Sequence, residues 1–95
     1  MFAIVESAAF STGPLIILYS DESTIELQSE TTLQYWMVKK FDKEGYPPVV
    51  LYHRHCLNEQ YHVHFVYEQD NALLAYSEIM QHDKYIMKRD ARRKK

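Results

Sequence analysis

The sequence predicts an α+β fold, a two-layer sandwich in which an antiparallel sheet of four strands, or five, carries two helices on one face in the order ββ(β)α-ββα. Three observations predict it. Short runs rich in branched and aromatic residues recur through the chain, which is a strand signal. Two stretches instead space their apolar residues by three and four, which is a helix signal. The whole has 95 residues with 46% hydrophobic and 25% charged side chains, enough for one core and not two.

Taken in order, Phe2–Phe10 (FAIVESAAF) reads as a first strand, closed by the turn residues Ser11-Thr12-Gly13-Pro14. Leu15–Leu18 is an unbroken apolar run inside PLIILYS and predicts a second strand buried on both faces. Residues 23–44 admit two readings. Ser23 with Glu26 matches a capping box and would start a helix near Thr24. Alternatively TIELQ is a short third strand, and the helix starts later, capped near Ser29 or Thr31. From Leu33 onward, helical spacing of Leu33, Trp36, Met37 and Phe41 predicts a helix. Lys39, Lys40 and Lys43 suit its C-terminal end, Gly45 its C′ position, and Pro47-Pro48 stops it. Val49–Cys56 and Tyr61–Glu68 predict two more strands around Leu57-Asn58-Glu59-Gln60. Asp70-Asn71 then caps a helix whose stripe is Leu73, Tyr76, Met80 and Met87, ending near residue 88 or breaking near Gln81-His82-Asp83. Residues 1–88 are thus expected to form one domain, with 89–95 as a frayed basic tail.

The predicted hairpin carries the most unusual pattern, YHRHC at 52–56 and YHVHF at 61–65. Residues i and i+2 of a strand share a face. A two-residue loop at Asn58-Glu59 would set His55 opposite His62 and His53 opposite His64, with opposed Cβ atoms about 5 Å apart. The other face would then hold Val50, Tyr52, Arg54 and Cys56 against Tyr61, Val63, Phe65 and Tyr67. That set is the more apolar and is expected to face the core, with Arg54 as its discord. A slip of one residue would scatter the histidines.

Imidazole is a good ligand for zinc, copper and nickel, so His53, His55, His62 and His64 form a candidate metal set. A histidine-rich face also suits base stacking or pH sensing, and equally a solvated or interface-packed surface. Cys56 alternates away from both neighbouring histidines, which argues against a thiol–imidazole pair. His82-Asp83 reads either as an acid–base pair with a sheet histidine or as a solvated helix end. Trp36 reads as core.

Charge divides unevenly. The formal net of −2 conceals +5 on residues 88–95 and −7 on the rest. The cations Lys88, Arg89, Arg92, Arg93, Lys94 and Lys95 are therefore candidate nucleic-acid contacts, although cations also simply suit a helix C-terminus. One cysteine excludes an internal disulfide framework and fits a reducing compartment. Two glycines cannot build a phosphate cradle, and no nucleophile elbow is present. Neither a signal peptide nor an apolar membrane span is apparent, so a cytoplasmic protein is expected. The function these features favour is a small non-enzymatic binding or regulatory module acting through protein contacts, such as a homodimer. A nucleic-acid-binding protein and a metal-binding protein are the alternatives, and a metal ion is the one cofactor they leave open.

Overall fold

The computed structural model describes Met1–Arg93. Its elements are α1 (Ile4–Phe10), β1 (Leu15–Ser20), β2 (Thr24–Ser29), β3 (Tyr35–Lys40), β4 (Val49–Arg54), β5 (His62–Tyr67) and α2 (Leu73–Arg93). The five strands form one antiparallel meander in the order β1-β2-β3-β4-β5. Both helices lie on one face of it and close a core of Phe10, Leu15, Ile25, Leu27, Trp36, Val38, Val49, Leu51, Ala72, Ala75 and Ile79. The expected α+β sandwich is therefore present, but its elements fall in the order αβββββα.

Two elements differ from the sequence reading. Residues 4–10 are helix, not strand. The buried residues there are Glu6 and Phe10, spaced i,i+4, and the Glu6 carboxylate reaches back to the amide of Ala3 at 2.6 Å, satisfying an orphan donor of the first turn. Residues 35–40 are strand, not helix. Trp36, Val38 and Lys40 alternate inward with period two. The chain reaches β3 through a tight turn in which Leu33 takes the left-handed conformation, φ 61°. TIELQ is indeed a strand, and Ser23 caps no helix: the Asp21 carboxylate accepts the amides of Ser23 and Thr24 and closes the β1–β2 turn. Gly45, expected at a helix end, sits at φ 89° in the loop between β3 and β4.

The helix layer is pinned at both ends by buried polar groups. At one end the Lys40 ammonium meets Glu6 at 2.7 Å and Asp70 at 3.0 Å, while Glu6 also accepts the amide of Ala72 at 2.6 Å. This knot ties α1, β3 and the start of α2 together. At the other end Ser29 donates to Asp83 at 2.6 Å and Thr32 donates to the same carboxylate at 3.2 Å. That pair ties the β2–β3 turn to the middle of α2. The helix does not break at Gln81–Asp83. It continues to Arg93, beyond the point where the sheet can support it.

Candidate metal centre

The histidines face the helices. Val49, Leu51 and His53 of β4 point into the layer between sheet and α2, and all three are buried. The expected assignment of faces is thus reversed, because the residues that share the face of His53 include Val49 and Leu51, which meet the apolar side of α2. Val50, Tyr52 and Arg54 occupy the opposite face, which no helix covers. Arg54, the discord of the sequence reading, lies there between the rings of Tyr35 and Tyr61, with Glu26 at 3.4 Å.

Register also departs from expectation. Strand β4 ends at Arg54 and β5 begins at His62, so the connection is longer than two residues and His53, not His55, pairs with His62. His55 lies in the loop, where its Nδ1 and its amide both meet the carboxylate of Glu59, at 3.2 and 3.1 Å. A bulge then follows. Tyr52 pairs with Val63 but Leu51 pairs with Phe65, leaving His64 as the extra residue. The bulge keeps His64 on the helix side and turns Tyr67 onto the core.

The result brings His53, His62 and His64 together, each offering one ring nitrogen within 4.8 Å of the others. Four of the chain's histidines surround the fifth: the ring of His53 lies 4.9 Å from His55, 5.4 Å from His62, 5.7 Å from His64 and 4.9 Å from His82. Trp36 forms the floor, stacked on His53 at 4.1 Å and edge-on to His64 and His82.

Hydrogen bonds select the free nitrogens. His64 Nε2 lies 2.9 Å from Glu78 of α2. An ionised carboxylate only accepts, so Nε2 carries the proton and the lone pair resides on Nδ1. His53 Nε2 lies 2.6 Å from Gln34 Oε1, which fixes its tautomer in the same sense. His53 and His64 are thus each oriented by an outer partner, the arrangement that raises ligand basicity in metal sites. Burial first, and then the neighbouring imidazoles, push the pKa of His53 down to about 3, so it is neutral at any ordinary pH. Burial and His64 also lower His82, opposed by the nearby carboxylate of Asp83. The Nδ1 of His82 is buried and makes no hydrogen bond among the described residues.

Such a site is chemically suited to a borderline transition metal. Tetrahedral ligation at about 2.0–2.1 Å asks for nitrogen separations near ~3.3 Å, so the three rings draw together by at most about 1.5 Å, a rotation of side chains on fixed strands. The triad is graded in depth: His53 is buried, His64 half-buried and His62 exposed. His62 therefore marks the access route, and three protein ligands leave a fourth position open.

Of the four histidines proposed from sequence, three bring ring nitrogens together; His55 adjoins the ring of His53 but stands outside that nitrogen cluster. Gln34 and Glu78 belong to the site without any local sequence signal, since Glu78 falls outside the apolar stripe of α2. His82, read from sequence as a partner for a sheet histidine or as a solvated helix end, has its ring 4.9 Å from that of His53 and 5.8 Å from that of His64. The layer under α2 buries His53 and half-buries His64, while His62 stays exposed. Cys56 is exposed in the loop after β4. Lys88, Arg89 and Arg92 are exposed on α2 and Arg93 ends that helix, whereas Lys94 and Lys95 lie outside the described residues. No described helix is long and apolar enough to cross a membrane. Comparisons with protein-family models, curated proteins and solved structures find no match to this chain.

Proposed function

We propose that this protein is a metal-binding module that holds one zinc, copper or nickel ion on His53, His62 and His64. The convergence of three ring nitrogens within 4.8 Å carries the reading. The acceptors Gln34 and Glu78 support it, since they engage Nε2 of His53 and His64 and leave the Nδ1 lone pair of each available. Imidazole ligands favour these ions over magnesium or calcium, which prefer oxygen.

Trp36 supplies the test. It is the chain's one tryptophan and stacks on His53, so a copper(II) ion at the triad quenches its emission. Titration of untagged, metal-free protein is expected to quench the fluorescence with a break at one equivalent, and zinc is expected to compete. Absence of saturable quenching, together with no heat of zinc binding by calorimetry at micromolar protein, overturns the reading.

A second reading, contact with another copy of this chain, draws on the uncovered side of the sheet. Val63 is 53% exposed and Val66 46%, and with Met37 and Tyr52 of the adjoining strands they make an apolar patch bordered by Lys39, Arg54 and Glu26. A rim of both signs is self-complementary across a two-fold axis, and twisted sheets pack face to face. Light scattering on a sizing column is expected to give a dimer mass that Val66→Glu reduces to the monomer. A monomer at high concentration in the parent protein removes this reading and leaves the metal reading intact.

A further inference from the structure

The end of α2 does no work in the fold. Asp83 is the last residue tied to the sheet, through Ser29 and Thr32, and Ile86 is the last buried one. The helix still continues to Arg93, an overhang of about 10 Å at 1.5 Å per residue. It contributes to a molecule 50 Å long and only 24 by 23 Å across. Tyr85, Lys88, Arg89 and Arg92 line one shallow groove on this overhang. Their spacing of i, i+3, i+4 and i+7 is one helix face. All four are exposed, Tyr85 at 64%. The acid nearby, Asp90, lies 3.7 Å from Arg89 in an exposed pair that holds it weakly.

The opposite pole carries the other sign. In a meander the β1–β2, β3–β4 and β5–α2 connections lie at the same end of the sheet, and α2 starts there and runs away from it. These connections hold Asp21, Glu22, Asp42, Glu44, Glu68 and Asp70 against one cation, Lys43, with Asp42 paired to the N-terminus and Asp70 to Lys40. A polyanion is therefore repelled by one pole and attracted to the other, which orients it onto the projecting helix.

We propose that the overhanging end of α2 docks on duplex DNA through its phosphates, with Lys88, Arg89 and Arg92 as contacts and Tyr85 beside them. A bare helix 10–12 Å across fits a B-form major groove about 12 Å wide, whereas the A-form groove of RNA is too narrow. A membrane surface is a poorer fit, because a helix lying in lipid needs a continuous apolar face, and within 87–92 the apolar side chains are Met87 and Ala91. This surface is separate from the histidine triad and stands or falls independently of the metal reading.

Anisotropy of a short labelled DNA duplex with the full chain tests it. Binding is expected at low salt, with log K falling linearly in log salt at a slope of about −2.7 for three phosphates, or steeper. The double variant Arg89→Glu/Arg92→Glu is expected to weaken binding at least tenfold. Its circular dichroism and its copper quenching of Trp36 should match the parent, because both residues are exposed. Failure to bind duplex at low salt, a flat salt dependence, or an unchanged double variant overturns the proposal. So does tighter binding to vesicles containing phosphatidylserine, to polyglutamate, or to an RNA duplex.

Discussion

Replacing His62 or His64 with alanine is expected to lower metal affinity at least a hundredfold. Each contributes one of only three ring nitrogens in the cluster, and two imidazoles on adjacent strands are a much poorer site. His62 gives the cleaner experiment, since it is exposed and its loss costs the core nothing. His64 gives the more informative one, because Glu78→Leu removes the acceptor of its Nε2 proton without touching the ligand itself. This variant is expected to lose 10–100-fold in affinity. His55→Ala is expected to bind as the parent does, because that ring is engaged with Glu59 in the loop. His53→Ala is the least useful, since His53 packs on Trp36 and its removal opens the core. The measurement is competition against a copper(II) indicator, backed by thermal melts. An ion present at about 100 times its dissociation constant adds about 2.7 kcal/mol of stability, a gain His62→Ala should forfeit. Parent-like affinity in both His62→Ala and His64→Ala removes the triad from consideration.

The histidines were visible in the sequence as a pattern but not as a geometry. Alternation correctly put His62 and His64 together, and the pairing depended on a loop whose length no turn residue specified. The bulge at His64 left no sequence mark at all. Which face was core could not be read from β4 and β5 alone: Val50 and Tyr52 on one side compete evenly with Val49 and Leu51 on the other. The apolar side of α2 decides, and that is a contact between distant segments. The fold was legible where a signal was local. The TIELQ strand, Val49–Arg54 and the helix from Leu73 form as their side chains dictate. Leu15–Leu18 is a strand but is not buried on both faces: β1 lies at the edge of the sheet, and Ile16, Ile17 and Leu18 are exposed. On α2 the buried line runs through Ala75, Ile79 and Ile86, and Met87 of the expected stripe is exposed. Legibility failed where one error concealed another. Trp36, Val38 and Lys40 form the inward side of a strand, but a buried lysine breaks the apolar alternation unless a buried acid is supplied. That acid is Glu6, whose own segment resembled a strand while its buried positions are helical. With neither visible, the spacing of Leu33, Trp36, Met37 and Phe41 imitated a helix.

That coupling between Glu6 and Lys40 predicts the largest stability effect in the molecule. Lys40→Met is expected to destabilise the fold by about 3–5 kcal/mol, the usual cost of stranding one member of a buried pair. That is a large share of the 5–15 kcal/mol typical of a domain. Glu6 is 3% exposed and Lys40 7%, so neither ion recovers hydration when its partner is lost. Asp70 compensates little, since its side chain is 68% exposed. Acidity should modulate the effect in a defined direction. Burial raises the Glu6 carboxyl, but the Lys40 ammonium and the amides of Ala3 and Ala72 outweigh it and hold its pKa below the ordinary value. A carboxyl lowered in the folded state stabilises fully above its unfolded pKa, about 4.3, and that contribution is lost as pH falls through the folded value. Lys40 is lowered by burial and raised further by Glu6 and Asp70, for a net increase. Its contribution is complete below its unfolded pKa, about 10.4, and is lost as pH rises through the folded value. The pair thus supports the fold fully across the neutral range. The difference between parent and Lys40→Met in urea unfolding should be greatest there and shrink on acidification, as Glu6 becomes able to protonate in the variant. The double variant Glu6→Gln/Lys40→Met should recover much of the loss, because it removes both buried charges and leaves a side-chain carbonyl to accept from Ala3 or Ala72. If the double variant is as unstable as Lys40→Met alone, the stranded Glu6 charge is not the source of the loss.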